Sequence, residues 1–372
     1  MLVETNKSTV IRVQGLEYLY FGGTNYLGLS HRPELLEAAV KAFADFGFSC
    51  SASRVTSGTN VLLQSLEEEL AAFAKSDAAL TLTAGFMSNT AVVQGIDSQV
   101  NFWVAAKRAH GSIKAAVQQS SRPAVYYDAH SISERTSFRE EFNLPEDCTL
   151  GVFLEAVDAL SGELTNVQAL ISKLTDRDYF IIDEAHSFGV LGRGDLGIID
   201  ELKPTDDERL IRTGTFSKAI GTSGGFVLCR REIIDQIKNE SAAYVASTPL
   251  SPVICAATRE SLRLIGEEPE STIDRLSANI GAMNMALSKI GLDQFSVHRT
   301  PIYLLSGLPG TAELGAALSA SGICIPSVGS YFSNADSMLR WTIQAGHTAE
   351  QLEQLTKEIG DFIVDQQTRK LH

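Results

Sequence analysis

Seven short apolar runs, spaced so that a helix fits between most neighbours, constrain this chain more than any other feature of its sequence. They are AALTLT (78–83), NFWVAA (101–106), AVYYD (124–128), GVFLEAV (151–157), YFIID (179–183), LIRTGT (210–215) and GFVLC (225–229). A strand buried on both faces reads as a near-continuous apolar run, because helices cover the sheet on each side. The rhythm therefore predicts an α/β fold: a mostly parallel seven-stranded sheet flanked by helices.

The intervening segments have helical periodicity. VLLQSLEEELAAFAK (61–75) places Leu62, Leu66, Leu70 and Phe73 on one face and its acids on the other, so Glu67 to Glu69 are expected on a solvated surface. NVQALISKLTD opens with Asn166, a residue type that caps helices. After STPLSP (247–252) come two long helical patterns, weaker strands at IYLLSG and MLRWTIQ, and a closing helix after Thr348. The expected organisation is an N-terminal arm over 1–35, a large domain over 36–250 and a smaller α+β domain over 251–372.

At 372 residues, and with about 150 residues per domain, the chain is long enough for two or three domains. Its net charge of −14 disfavours a nucleic-acid partner, since phosphate backbones are bound by clustered lysine and arginine. The five cysteines are scattered without a C-x-x-C pair, which argues against a zinc site or disulfide framework and for a reducing cytoplasm. The N-terminus MLVETNKSTVIRVQG lacks a basic start followed by an apolar core. No run reaches the roughly 18 apolar residues of a membrane span.

Ligands of open α/β sheets bind beyond the carboxyl ends of the strands. That rule selects Gly85 and Phe86 after one strand, Asp183 and His186 after another, and Thr215, Ser217 and Lys218 after a third. Strand-then-D-E-A-H also matches the magnesium-holding motif of helicases. That motif works with a G-x-x-x-x-G-K-[ST] phosphate loop, and no Gly-Lys pair occurs in the chain. A lysine after a serine is on spacing alone a surface residue. A glycine-rich turn directly after it, TGTFSKAIGTSGGF (213–226), suits instead a lysine that forms a Schiff base in a partly desolvated site.

These segments resemble the α-oxoamine synthases, fold type I enzymes dependent on pyridoxal 5′-phosphate (PLP) and built on the aspartate aminotransferase-like transferase fold. The likeness runs through NYLGLSHRP (25–33), SASRVTSGT (51–59), TAGFMSNTAV (83–92), AHGSI (109–113), IIDEAHSFGVLGRGDLG (181–197), TFSKAIGTSGGF (215–226) and LRWTIQAGHT (339–348). It implies that Lys218 carries the cofactor and later takes the substrate α-proton, that Asp183 pairs with the pyridinium nitrogen, that His186 meets the ring's phenolic oxygen and that His110 stacks on the ring face. It further implies phosphate donors at Gly85, Phe86, Thr215 and Ser217, with Thr248 reaching the partner subunit's phosphate in a homodimer of shared active sites. Glu155 matches a glutamate near the cofactor, and a solvated strand end is the alternative for it. Arg340 matches the residue that takes the substrate carboxylate, with Asn25 in NYLGL also implied on the substrate side.

The reaction so implied condenses a small amino acid with an acyl-CoA, with decarboxylation, to an α-amino ketone. Class I transaminases share the fold and carry an arginine eight positions after the lysine; Phe226 stands there, preceded by Gly224 and Gly225 as in the synthases. The acyl side departs from the family. The chain begins shortly before NYLGL, where members have a helix with an acyl-recognising arginine. Leu63 replaces a histidine, Ala159 in VDALSGE a cofactor-touching serine, and SVGSYFSN (327–334) a proline-rich segment. A PLP enzyme of another reaction class, or a non-catalytic partner subunit, remain the rivals.

Overall fold

The computed structural model describes residues 1–129, 136–192, 197–198, 208–267, 269–326 and 338–369. All seven apolar runs are strands of one sheet: β4 (Ala78–Leu82), β5 (Phe102–Ala106), β6 (Ala124–Tyr127), β7 (Leu150–Glu155), β8 (Tyr179–Asp183), β9 (Leu210–Thr215) and β10 (Gly225–Cys229). Their order is β4-β10-β9-β8-β7-β5-β6. From β9 to β6 neighbours are parallel, whereas β10 runs antiparallel to both β4 and β9. The register sets Glu155, Asp183 and Thr213 side by side at the carboxyl ends of β7, β8 and β9.

Two compact units divide the chain, one of residues 32–157 and 165–267, the other of residues 1–31, 158–164 and 268–372. In the first, helices cover the sheet, and its core holds Leu80, Val92, Trp103, Phe153, Ile181, Ile211 and Val227, all 1% exposed or less. Burying each such side chain contributes about 2 kcal/mol against the entropy of ordering it. Helix α1 (Pro33–Phe46) packs along the helix Pro252–Glu267, which therefore belongs with the sheet although the apolar rhythm put a change near residue 250. Asn166 caps its helix by accepting from Ala169 N–H at 3.1 Å.

Helix α2 (Val61–Phe73) corrects two expectations. Its buried stripe is Leu63, Leu66 and Leu70 rather than the one through Leu62, which is only half-buried. Glu67 leaves the solvated face: its oxygens accept from Arg54 Nη1 and Nη2 at 2.8 and 3.0 Å and from Thr81 N–H at 2.8 Å. The ion pair is nearly buried, and such a charge is tolerable only with these partners.

In the second unit the N-terminal segment is a sheet where an arm was expected. Strands β1 (Thr5–Asn6), β2 (Val10–Val13) and β3 (Leu16–Tyr20) pair antiparallel in succession, and β12 (Ile323–Cys324) adds to β3 in parallel. The strands expected at IYLLSG and MLRWTIQ are β11 (Ile302–Ser306) and β13 (Met338–Thr342), an antiparallel pair. The helices Pro269–Lys289 and Ala349–Arg369 match the predicted patterns. The segment SVGSYFSN lies outside the described residues.

Candidate active site

Asp183 ends β8 with 9% of its surface exposed. Its Oδ2 accepts from Asn89 Nδ2 at 2.8 Å and its Oδ1 from Ala185 N–H at 3.0 Å, so both carboxylate oxygens are held in place. His186, three residues on, lies with Nε2 at 2.7 Å from Lys218 Nζ. Three sequence-predicted residues thus meet at one end of the sheet: an amine, an imidazole beside it and a buried carboxylate.

His110 caps helix α4 (Gly111–Gln118), with Nδ1 accepting from the Ser112 N–H at 3.2 Å and lying 2.8 Å from Ser112 Oγ. Its backbone N–H donates to Glu155 Oε2 at 3.0 Å, so Glu155 holds the loop that presents the ring. Desolvation lowers the imidazole's pKa; Asp183 opposes that shift and Lys218 adds to it, which places all three groups in mutual electrostatic reach.

Helix α3 (Gly85–Ile96) starts at the end of β4 after Ala84, which supplies no side-chain cap for the first N–H groups. A side chain at Gly85 would put Cβ 2.6 Å from Thr215 Cβ, so this helix start lies against the end of β9. Gly225 is as confined, with Ser88 Oγ 2.4 Å from where its Cβ would be. Thr215 Oγ1 donates to Gly224 O at 2.9 Å and lies 2.8 Å from Ser217 Oγ. Uncapped N–H groups at a helix start, with two hydroxyls beside them, form an anion cradle that needs no cation. The donor set fits PLP: a cradle for its phosphate, a carboxylate for its ring nitrogen and a lysine for its aldehyde.

The other predicted residues lie elsewhere in the chain. Thr248 is exposed, before the helix Pro252–Glu267. Arg340 sits on β13 in the second unit, where its Nε donates to Ala159 O at 3.0 Å. The guanidinium is also hydrogen-bonded to Tyr26, whose phenol burial pushes up in pKa while Arg340 pulls it down. Asn25 works within the same unit: Nδ2 donates to Ser8 Oγ at 3.0 Å and Oδ1 accepts from Ser30 N–H at 3.3 Å.

The family "aminotransferase class I and II" matches residues 17–359, nearly the whole chain. The chain belongs to it. Among curated relatives of this aminotransferase-family chain, the serine palmitoyltransferase of Bacteroides ovatus is 28% identical over 96% of the chain and 90% of the relative. The 8-amino-7-oxononanoate synthase 1 of Bacillus subtilis is 28% identical, over 95% and 90%. Of solved structures, a serine palmitoyltransferase with PLP as its internal aldimine superposes with a TM-score of 0.85 at 23% identity, covering 97% of this chain and 91% of that one. At that identity the likeness establishes the fold, which is the fold type I architecture.

Sequence reasoning missed the residues behind this candidate site. Asn89 is 1% exposed and touches Asp183, Ser112 and Thr213; in the sequence it was one of several polar residues of its helix, beside Ser88, Thr90 and Gln94, with nothing to single it out. Glu184, between the two selected residues, is fully buried and accepts from Arg212 Nε at 2.6 Å. A side chain at Gly197 would strike Glu184 Oε2 at 1.7 Å, so that glycine closes over the pair.

Proposed function

We propose that this chain is a PLP-dependent α-oxoamine synthase, which condenses a small amino acid with an acyl-CoA and releases CoA and CO2 to give an α-amino ketone. The carrying observation is Lys218 Nζ at 2.7 Å from His186 Nε2, on the strand ends that also bear the anchored Asp183. When bound, PLP supplies an electrophilic aldehyde and a ring that withdraws electrons from the amino acid's α-carbon.

Asp183 would accept from the protonated ring nitrogen, with its carboxylate oriented for that by Asn89 Nδ2 and the Ala185 N–H. His186 donates to the phenolic oxygen and shares its proton with Lys218. Lys218, once its amine is free, takes the α-proton of the substrate and returns it at the end. Gly85, Phe86, Thr215 and Ser217 hold the phosphate, Glu155 fixes the His110 loop, and Thr248 serves the partner subunit's phosphate in a homodimer. Arg340 takes the substrate carboxylate with the rest of a guanidinium oriented by Tyr26 and Ala159 O. For Asn25 we favour the closing of its own turn, since both ends of its amide are engaged there.

Phe226 in place of a phosphate-binding arginine supports the synthase over a transaminase, and the intact pairing of Lys218 with His186 supports an enzyme over an inert subunit. Five unpaired cysteines fit a reducing cytoplasm. Among the described residues no helix is long and apolar enough to cross a membrane.

The purified protein reconstituted with PLP should absorb near the visible edge, and Lys218→Ala should lose the borohydride-sensitive species. Incubation with glycine, alanine or serine and acyl-CoA of varied length should release CoA with CO2. Conversion of PLP to its pyridoxamine form without CoA release would instead establish a transaminase, and a protein that binds no PLP would end the proposal.

A further inference from the structure

Behind the candidate site, polar side chains form a hydrogen-bond chain whose direction is fixed from both ends. At one end stands Asp183, whose Oδ2 is 2.8 Å from Asn89 Nδ2. A carboxylate oxygen accepts, so the amide must present its NH2 there, which settles its orientation. The amide oxygen then accepts from Thr213 Oγ1 at 2.7 Å. The same Nδ2 donates its second proton to Ser112 Oγ at 3.0 Å, and Ser112 passes its own hydroxyl proton to His110 Nδ1 at 2.8 Å.

The far end is independent of that reasoning. The backbone N–H of Ser112 can only donate, and it too points at His110 Nδ1, at 3.2 Å. A ring nitrogen that accepts carries no proton, so the neutral imidazole bears its hydrogen on Nε2. Nε2 makes no hydrogen bond to a described residue. Protonating Nδ1 would set an N–H against the Ser112 N–H and leave the Ser112 hydroxyl without its acceptor.

We propose that Asn89 and Ser112 are positioning residues that lock His110 as the Nε2–H tautomer and tie that choice to the accepting carboxylate oxygen of Asp183. The proposal rests on the reading that His110 lies on the cofactor face and Asp183 at its ring nitrogen, and it deepens that reading. One helix, α3, carries the phosphate cradle at Gly85 and the bridging amide one turn later, so anchoring of the cofactor and orientation of both ring contacts share a rigid element. The locked tautomer makes His110 a neutral donor toward substrate oxygen. The groups facing His110 from other elements are Asp183 on β8, Glu155 on β7 and Lys218 after β9; Lys107, Arg108 and Lys114 flank it on its own segment.

The test is nitrogen-15 histidine NMR on the full-length apoprotein, with His110 assigned by the signals lost in His110→Gln. The wild type should show an unprotonated Nδ1 and a protonated Nε2, with a titration midpoint below that of ordinary histidine. Ser112→Ala should mix the tautomers and raise the midpoint by up to about one pH unit, the equivalent of one hydrogen bond. Ser112→Thr, which keeps the hydroxyl, should restore both, and Asn89→Ser should act in the direction of Ser112→Ala. A wild-type ring protonated at Nδ1 overturns the proposal, as do Ser112→Ala and Asn89→Ser proteins that keep the wild-type tautomer and midpoint. PLP uptake is read by absorbance on the same samples: a locked tautomer in a protein that takes no PLP refutes the proposed function and leaves the relay standing, and PLP uptake with an unlocked ring does the reverse.

Discussion

His347 should make the stability of this protein fall steeply in mild acid. Its ring is 4% exposed and stacks on Phe21 with centroids 4.3 Å apart and planes 9° from parallel. Nδ1 accepts from the Gln344 N–H at 2.9 Å, and Nε2 donates to Tyr20 O at 3.1 Å. A second proton at Nδ1 would face an N–H donor in a buried site. Burial accordingly drives the pKa down from 6.5 to about 4, and of the ring's two partners only the Tyr20 carbonyl at Nε2 pulls it the other way. The unfolded chain therefore binds more protons than the folded one between pH 6.5 and 4. The contribution of His347 is complete above that window and is lost as pH falls through it. Integrated over the two titrations, going from pH 7 to 5 should cost about 2 kcal/mol. Glutamine can accept from Gln344 N–H and donate to Tyr20 O without titrating, so His347→Gln is the control. In urea titrations at pH 7 and 5, the wild type should lose about 2 kcal/mol more than the variant. Equal losses, or a His347 that titrates near 6.5 by NMR, would refute the reasoning.

The buried Arg212–Glu184 pair and the proposed role of Arg340 carry further predictions. Arg212→Leu strands Glu184 without a cation in the core and should destabilise by about 3–5 kcal/mol, whereas the double variant Arg212→Leu/Glu184→Gln should recover much of it; thermal unfolding reads both. Arg340→Lys keeps the charge and loses the planar fork held by Tyr26 and Ala159 O, so KM for the amino acid should rise about tenfold or more with a smaller change in kcat. Equal affinity in the lysine variant would remove Arg340 from the carboxylate.

The sheet was legible because burial on both faces writes itself into the sequence as uninterrupted apolar runs, and all seven became strands. The N-terminal sheet was not. Thr5–Asn6 and Ile323–Cys324 are two residues each, too short to carry a pattern, and β12 pairs with β3 from the far end of the chain. Nor could periodicity say that residues 158–164 join the second unit, since that rests on contacts such as Thr300 Oγ1 to Gly162 O at 2.7 Å. Of the site, the residues that end strands were readable because strand ends are where ligands bind. Those that stand behind them, Asn89, Ser112, Thr213 and Arg212, lie inside helices and strands. Their role depends on which neighbour the fold brings, which no spacing along the chain encodes.

The segment DEAH shows how the two kinds of residue coexist in four positions. A strand leaving a sheet alternates its faces until its last residue, and the turn after it exposes one side of the chain to the site and the other to the core. Asp183 is the last residue of β8 and faces Asn89; His186, after the turn, faces Lys218. Glu184 falls between them on the core side, where a lone carboxylate would cost several kcal/mol. Arg212 on the adjacent strand meets it at 2.6 Å and also donates to Ala74 O at 3.0 Å, with Ser187 Oγ closing on Glu184 Oε2 at 3.2 Å. That closure pins the peptide joining the two site residues. The motif's central acid thus has a structural reason that is independent of magnesium, and the same four letters in a nucleotide-dependent motor answer to different physics.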